Sequence, residues 1–574
     1  MIERVKYILK NLFGYDDFKL LQKKVIMNIL NKRDTLVIMP TGGGKSLCYQ
    51  IPALIFDGLT IVISPLISLM KDQVEQLRNL NISAVCLNSS LSYEEYLCNI
   101  NMIRNNRVKL LYMAPEALLL QKNIDLLSNI KIDCITIDEA HCISEWGHDF
   151  RPEYRQIVTV RNIFPNAVCV ALTATATPRV QKDIKETLNF NASNEFIANF
   201  DRENLFLRII SKDDPFTQVL EYIKHFKGKS GIVYCFSRKT VEDLTRFLQA
   251  NNIRALPYHA GLSDKERATH QDHFIKDNIQ VIVATIAFGM GINKPDVRFV
   301  IHHDMPKNIE SYYQEIGRAG RDGLESHCIM LFSYADIYKI NYFINKKEEK
   351  EKKIAKFHLS ALIGLIETKI CRRIPLLRYF GDKHEKENCA MCDNCLTEEK
   401  DLQDITIEAQ KFLSCVKRTG ERFGATHIVD VLRGSKSNKV RKFDHDKLST
   451  YNIGKDYSKK QWLSFSRQFL QLGLMKQDME YGVLSLTGEA YKVFRGQKVY
   501  GSIDVDAQDK IIEKHDSEVE QHLEYDKELF EILRSKRKEI ADQDNTAPYI
   551  IFSDKSIIEM STYYPHSKEN FLNM

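Results

Sequence analysis

The chain lacks an apolar run long enough to cross a bilayer. Its most apolar stretch, Ala53 to Met70, is broken by Asp57, Gly58 and Pro65, where a spanning helix needs about 20 apolar residues. It reads instead as a helix end, a turn and a buried strand. The start, Met1-Ile2-Glu3-Arg4-Val5-Lys6, carries charges where a secretory leader needs its apolar core. Little charge of either sign is in excess: a net of +5 over 574 residues does not by itself point to a nucleic-acid partner. Evenly paired cysteines are also missing. There are 13, mostly inside apolar segments such as Ile132-Asp133-Cys134-Ile135, which excludes a disulfide framework and fits a reducing compartment. A soluble cytoplasmic protein is expected.

What is present is length, and a charge that is unevenly placed. Single cores stop growing near about 250–300 residues, so 574 implies several domains. Residues 401–500 hold 18 Lys/Arg against 11 Asp/Glu, a net of +7, and residues 501–574 hold 9 against 17, a net of −8. A basic domain that meets an anion, followed by an acidic tail, accounts for this. Between residues 34 and 302, short β-branched runs alternate with amphipathic stretches; the runs include Thr35–Met39, Thr60–Ser64, Ile135–Ile137, Val168–Leu172, Gly231–Cys235, Val281–Thr285 and Arg298–His302. Most lack polar alternation, as parallel strands covered on both faces do. The rhythm restarts near residue 205, which predicts two α/β lobes. The charge run Lys346 to Lys353 reads as a solvated helix face leaving the second lobe.

Met39-Pro40-Thr41-Gly42-Gly43-Gly44-Lys45-Ser46 follows an apolar strand and precedes an apolar helix. Glycines there let backbone N–H groups converge on phosphate oxygens at a helix N-terminus. Lys45 is placed to reach the β- and γ-phosphates of ATP and Ser46 to ligate Mg²⁺. Asp138-Glu139-Ala140-His141 ends another buried strand. Two adjacent carboxylates at a strand end point to different places, so Asp138 is expected on Mg²⁺ and Glu139 on the attacking water. In the second lobe, Gln314-Glu315-Ile316-Gly317-Arg318-Ala319-Gly320-Arg321 sets two arginines three apart, on one face if the segment is helical. An arginine from a neighbouring lobe can neutralise γ-phosphate charge, which is worth roughly 10³–10⁵ in rate.

Further along, Trp146, Phe150, Arg151 and Tyr154 follow the carboxylate motif directly. Aromatic rings stack on unpaired bases at about 1–3 kcal/mol each, without sequence preference; the alternative is that these rings are core. Cys371, Cys389, Cys392 and Cys395, spaced C-x17-C-x2-C-x2-C in a polar segment, suit four thiolates around zinc or an iron–sulphur cluster.

Taken together, and with Ser64-Pro65-Leu66-Ile67-Ser68-Leu69-Met70-Lys71-Asp72-Gln73, Met113-Ala114-Pro115-Glu116, Leu172-Thr173-Ala174-Thr175-Ala176, Tyr258-His259-Ala260-Gly261-Leu262 and Ala284-Thr285-Ile286-Ala287-Phe288-Gly289-Met290-Gly291-Ile292-Asn293-Lys294-Pro295, the chain resembles the RecQ family of superfamily 2 helicases. The resemblance implies that Tyr15, Lys19 and Gln22, beside Gly14 and Phe18, recognise adenine, with Thr41, Gly42, Gly43, Gly44, Lys45 and Ser46 holding the phosphates. Lys19 stands where the family has arginine, and lysine stacks on a base less well than a planar guanidinium. It implies catalytic roles for Lys45, Glu139, Gln314, Arg318 and Arg321, and coupling roles for His141, Thr173 and Thr175. Residues 141–154 resemble the family's aromatic-rich loop. The cysteines follow the second lobe with Cys371-Arg372-Arg373 and Tyr379-Phe380-Gly381, as in RecQ, which implies zinc.

Residues 404 to about 498 resemble the family's winged helix through Phe423-Gly424, Leu432-Arg433-Gly434-Ser435-Lys436 and Ile453-Gly454-Lys455-Asp456. A recognition helix is expected over Lys459–Leu474, with Trp462, Phe465, Phe469 and Leu472 on its core face. Arg433, Lys436, Lys439 and Arg441 are expected on duplex phosphates, and Met479-Glu480-Tyr481-Gly482 at a wing tip. From Asp526 the chain resembles the start of an HRDC domain and stops short of a whole module.

The expected architecture is α/β, with RecA-like lobes over 1–205 and 206–343, a zinc module over 344–403, the winged helix over 404–498, an acidic linker over 499–525 and the HRDC-like segment over 526–574. The expected activity is ATP-, Mg²⁺- and zinc-dependent 3′→5′ helicase action on single-stranded, forked or duplex DNA in recombination and repair, by a monomer at the bacterial nucleoid. Two alternatives remain at this point: an RNA helicase, and a DNA-binding scaffold switched by ATP without unwinding.

Overall fold

The structure is a computed structural model that describes residues 1–19, 21–88, 91–190, 194–285, 288, 294–384, 386–396, 403–478, 482–501, 503 and 525–572. The wing tip Met479-Glu480-Tyr481, most of the acidic linker and most of the Ala284–Pro295 segment lie outside these residues.

The first lobe is built on seven strands: β1 (Thr35–Ile38), β2 (Leu59–Ile63), β3 (Ala84–Leu87), β4 (Leu110–Met113), β5 (Ile132–Ile137), β6 (Val168–Thr173) and β7 (Glu195–Ile197). They pair in the order β3-β4-β2-β5-β6-β1-β7, all parallel. The second lobe has six: β8 (Leu205–Ser211), β9 (Ser230–Tyr234), β10 (Ala255–Tyr258), β11 (Val281–Ala284), β12 (Val297–His302) and β13 (Ser326–Phe332). Their order is β10-β11-β9-β12-β13-β8, again parallel throughout. Inner strands such as β2, β5 and β9 are buried at every residue, because helices cover both faces; this is why they read as continuous apolar runs.

One face of each sheet packs into its own core, around Val25, Val37 and Val62 in the first lobe and around Val233, Leu244 and Phe299 in the second. The opposite faces belong to a single apolar cluster that continues through Tyr313 and Phe332 into Leu362, Leu376 and Phe380 of the following helices. The charge run rides on the exposed start of helix Glu349–Glu367. Edge strand β8 does not face solvent along its whole length. Leu207 N donates to Met391 O at 3.1 Å, and Ile209 N donates to Asp393 Oδ2 at 2.9 Å, so the cysteine-rich loop lies along it.

Residues beyond 404 form a separate core around Phe412, Trp462, Phe465 and Phe469. Helix Lys459–Gln471 ends three residues short of the expected Leu474. It buries Trp462, Phe465 and Phe469 as the periodicity predicts, while Leu472 is its half-buried C-cap, and the Trp462 indole donates to Gly454 O at 2.7 Å. A two-stranded hairpin, Met475–Gln477 with Leu484–Leu486, follows. The helices Lys527–Gln543, Pro548–Ile551 and Asp554–Tyr563 dock on the second lobe: Arg534 donates to Gly228 O at 2.6 Å and Lys538 to Lys276 O at 2.6 Å. Buried Asp554 pairs with Arg537 at 2.9 Å. No helix among the described residues is long and apolar enough to cross a membrane.

Candidate active site

Strand β1 ends at Ile38 and helix Lys45–Ile55 begins seven residues later. The turn between them requires left-handed backbone at Gly42 (φ +85°) and Gly44 (φ +76°), which glycine adopts at little cost. A Cβ on Gly44 would lie 2.2 Å from Gln22 Nε2, so the adenine-motif glutamine sits directly on the loop. Gln22 is buried; its Oε1 accepts from Lys19 N at 2.8 Å and its Nε2 donates to Gly44 O at 3.1 Å. Gly43 N donates to Pro40 O at 3.0 Å, and the Lys45 ammonium donates to Met39 O at 3.0 Å. A cavity of about 530 Å³ joins Tyr15, Lys19, Gln22, Thr41, Gly42, Gly44, Lys45, Ser46, Asp138 and Glu139 to Gln314, Arg318 and Arg321 of the other lobe.

At the end of β5, Glu139 takes a left-handed backbone (φ +49°), and its N donates to Asp138 Oδ1 at 3.0 Å. His141 Nδ1 lies 2.9 Å from Thr173 Oγ1 and 3.2 Å from Glu139 Oε2. Burial opposes ionisation of both acids. At Glu139 this is overcome by the hydrogen bond and charge of His141, which hold its pKa down; at Asp138 burial prevails, reinforced by the Glu139 charge, and the pKa rises. A divalent cation beside Asp138 would reverse that rise, so the pair fits one metal-holding and one free carboxylate. Thr173 Oγ1 donates to Thr175 O at 3.1 Å, and Thr175 Oγ1 accepts from Gln314 Nε2 at 3.2 Å. Glu139 is thereby connected to the second lobe in four steps, through His141, Thr173, Thr175 and Gln314.

The two arginines are not on a helix. Helix Ile309–Ile316 stops at Gly317, and Gly320 takes φ +56°; a Cβ there would also meet Asn204 Nδ2 at 2.4 Å, so the position needs glycine. The turn still delivers both arginines to the cavity. A Cβ on Gly42 would lie 3.4 Å from Arg321 Cγ, so the Arg321 stem rests on the phosphate loop. Burial, then the charges of Arg318 and Arg202, press the Arg321 pKa down, and an anion among these groups would relieve that repulsion. The cluster fits a polyphosphate.

The four cysteine sulphurs lie within 4.8 Å of one another, against about 3.8 Å for the edge of a tetrahedron with 2.3 Å Zn–S bonds. The Cys389 thiol is held far below the usual range by donation from Cys371 and Cys392, with Arg373 adding to the effect. Arg373 Nη1 also donates to Cys389 Sγ at 3.2 Å. Four thiols in a cluster of this size fit a structural zinc.

Five family models match in chain order: DEAD/DEAH box helicase over 19–184, helicase conserved C-terminal domain over 214–323, RecQ zinc-binding over 334–396, RQC domain over 399–510 and HRDC domain over 526–574. The chain is 44% identical over 572 residues to the ATP-dependent DNA helicase RecQ of Pasteurella multocida, covering 98% of this chain and 89% of that one. It is 44% identical over 574 residues to the protein of that name in Haemophilus influenzae (99% and 92% covered) and 40% identical over 578 residues to that of Bacillus subtilis (100% and 95% covered). The chain belongs to the RecQ family. Like its family, this RecQ helicase works with ATP, Mg²⁺ and Zn²⁺.

The RecQ aromatic-rich loop returns on itself, Arg151 N donating to Cys142 O at 3.0 Å. Trp146 is half-buried with the Arg179 guanidinium 4.6 Å from its ring centre, and Phe150 is half-buried beside Arg155. Arg151 donates to Pro65 O at 3.2 Å and pairs with Asp149 at 3.4 Å. Tyr154 departs from the expectation. It is fully buried, and its hydroxyl donates to Asp138 O at 3.2 Å, so it offers no face to a base and instead props the backbone just past the end of β5. On the winged helix, Arg433, Lys436, Lys439 and Arg441 are all exposed.

Sequence reasoning missed two residues. Tyr549 of the HRDC segment lines the nucleotide cavity, and Lys294 lies 5.9 Å from its ring centre. Arg202, between the lobes, reaches both the phosphate loop and the arginine turn. The available signal for it was the polar run Asp201-Arg202-Glu203-Asn204 immediately ahead of apolar β8.

Proposed function

We propose that this chain is an ATP-driven motor that translocates 3′→5′ on single-stranded DNA and unwinds duplexes in recombination and repair, as a monomer at the nucleoid. Lys45 holds the transferred phosphate, Ser46 and Asp138 hold Mg²⁺, and Glu139 orients the attacking water and takes its proton. The metal, when bound, neutralises phosphate charge. Arg321 and Arg318 stabilise charge developing on the γ-phosphate, while Gln314 reports it to Thr175. Tyr15, Lys19 and Gln22 select adenine. Trp146 and Phe150 stack on unpaired bases, and Arg433, Lys436, Lys439 and Arg441 grip duplex phosphates. The division of labour follows the domain limits 1–205, 206–343, 344–403, 404–498, 499–525 and 526–574.

One observation carries the reading. The second lobe lays Arg321 on Gly42 and ties Gln314 to Thr175, so hydrolysis requires lobe closure and hydrolysis products release it. A scaffold that only bound ATP would need no such finger. Unwinding of 3′-tailed, 5′-tailed and forked duplexes, with DNA- and RNA-stimulated phosphate release measured alongside, tests it. The expected pattern is DNA-stimulated hydrolysis with unwinding of the 3′-tailed and forked substrates. Stimulation by RNA alone, or unwinding of only the 5′-tailed duplex, would refute it.

A further inference from the structure

Arg202 occupies a position that the roles above leave unused. Its Nη1 donates to Thr41 O at 3.2 Å, and its Nη2 donates to Ala319 O at 3.0 Å and Gly320 O at 2.8 Å. Thr41 immediately precedes Gly42, and Gly320 immediately precedes Arg321. These are the two residues whose contact brings the arginine turn onto the phosphate loop. One planar guanidinium thus spans the seam and binds the carbonyl next to each partner.

The segment carrying Arg202 is itself held from several directions. Arg373 of the zinc module pairs with Asp201 at 2.9 Å and donates to Arg202 O at 2.9 Å and Leu205 O at 2.7 Å. Tyr313 OH donates to Phe200 O at 2.7 Å, and Asp382 accepts from Phe200 N at 3.0 Å. Asn204 Nδ2 donates to Gly320 O at 2.9 Å and Leu324 O at 2.8 Å, steadying the same turn. A flexible linker would not fix a side chain in this way.

We propose that Arg202 is the positioning residue that sets Arg321 against the phosphate loop, so that the arginine finger enters the hydrolytic site in register when the lobes close. The inference rests on reading Arg321 as that finger. Carbonyl oxygens on both sides of a seam need donors fanning in one plane, which a guanidinium supplies and an ammonium does not. Because Arg202 binds loop carbonyls and leaves the phosphate-binding N–H groups untouched, its loss acts on turnover more than on nucleotide affinity.

The test uses the full chain carrying Arg202→Ala, Arg202→Lys, Arg321→Ala and the double variant Arg202→Ala/Arg321→Ala. ATPase kcat at saturating single-stranded DNA, binding of a fluorescent ADP and thermal melting are read for each. The finger itself is worth roughly 10³–10⁵, and partial loss of its register is expected to lower kcat roughly 10- to 100-fold in Arg202→Ala. Nucleotide affinity should stay within about two-fold. Arg202→Lys, which keeps the half-buried charge, should fold yet fail to restore kcat, and it carries the test if the alanine variant melts below assay temperature. The double variant should be no slower than Arg321→Ala alone, since residues acting through one group are not additive. Full kcat in either single Arg202 variant overturns the inference, as does a multiplicative loss in the double variant or a defect confined to nucleotide affinity. Wild-type turnover in Arg321→Ala would instead overturn the reading of the nucleotide site.

Discussion

Trp146→Ala separates DNA sensing from packing. A fully buried Trp or Phe truncated to alanine costs about 3–5 kcal/mol. This ring is half-buried, and its Arg179 contact contributes about 0.5–1 kcal/mol, so a loss of about 2 kcal/mol is expected. For a domain of about 150–250 residues that lowers Tm by about 4–8 °C, at 2–4 °C per kcal/mol. The loop carrying Trp146 folds back onto the hydrolytic motif: a Cβ on Gly147 would lie 2.6 Å from His141 O, and His141 touches both Glu139 and Thr173. On the proposed role of this loop, a base stacked on Trp146 would pull on His141 and through it on Glu139. ATPase rates with and without single-stranded DNA, normalised to folded protein, should show DNA stimulation falling by roughly ten-fold or more, since stacking is worth about 1–3 kcal/mol, while DNA-free hydrolysis changes far less. A variant that melts 4–8 °C early and keeps full stimulation would refute the coupling and leave the ring as packing.

Lys45→Ala and Glu139→Gln should both stop unwinding by different routes: the first weakens nucleotide binding, the second leaves ATP bound and uncleaved, and equal affinities for a fluorescent nucleotide in the two would contradict the roles assigned. Elemental analysis should find one zinc per chain, with Cys392→Ser losing it and melting earlier, because opening a closed site forfeits binding energy that contributes to folding; iron in place of zinc would overturn the assignment. Arg467 pairs with half-buried Glu367 at 2.5 Å, joining the winged helix to the end of helix Glu349–Glu367. Arg467→Ala removes the charged partner of Glu367, which keeps its hydrogen bond from the Tyr334 hydroxyl at 3.2 Å, so a loss below the about 3–5 kcal/mol of a fully buried pair is expected. Protease cleavage near residue 403 should accelerate, and an unchanged cleavage rate would show that the pair does not hold the domain.

Much of this molecule is legible in its sequence because the chemistry lies in short contiguous motifs. The phosphate loop, the Asp138-Glu139 pair and the cysteine spacing each name their partners within a few residues, and the continuous apolar runs follow from sheets covered on both faces. The winged-helix core is equally plain, since Trp462, Phe465 and Phe469 recur at helical spacing. What escaped is long-range. Arg202 meets Gly320 across 118 positions, and Tyr549 reaches the nucleotide cavity from the far end of the chain. Tyr154 misled because polar neighbours surround it in sequence, while its own ring lies under β5. The Arg318–Arg321 spacing puts both on one face only if the segment is helical; the helix instead ends at Ile316, and a turn carries both arginines.

The strip of cysteine-rich loop along β8 has a consequence for what happens when metal is lost. A parallel sheet ends in a row of unspent donors and acceptors, and another chain can add a strand there. In this protein the loop held by Cys389, Cys392 and Cys395 occupies that row through Met391 and Asp393. Stripping the metal frees the loop and uncovers a template of alternating apolar residues, Leu205, Leu207 and Ile209. Metal-depleted protein should therefore self-associate before it unfolds, with light scattering rising below the temperature at which helical signal is lost.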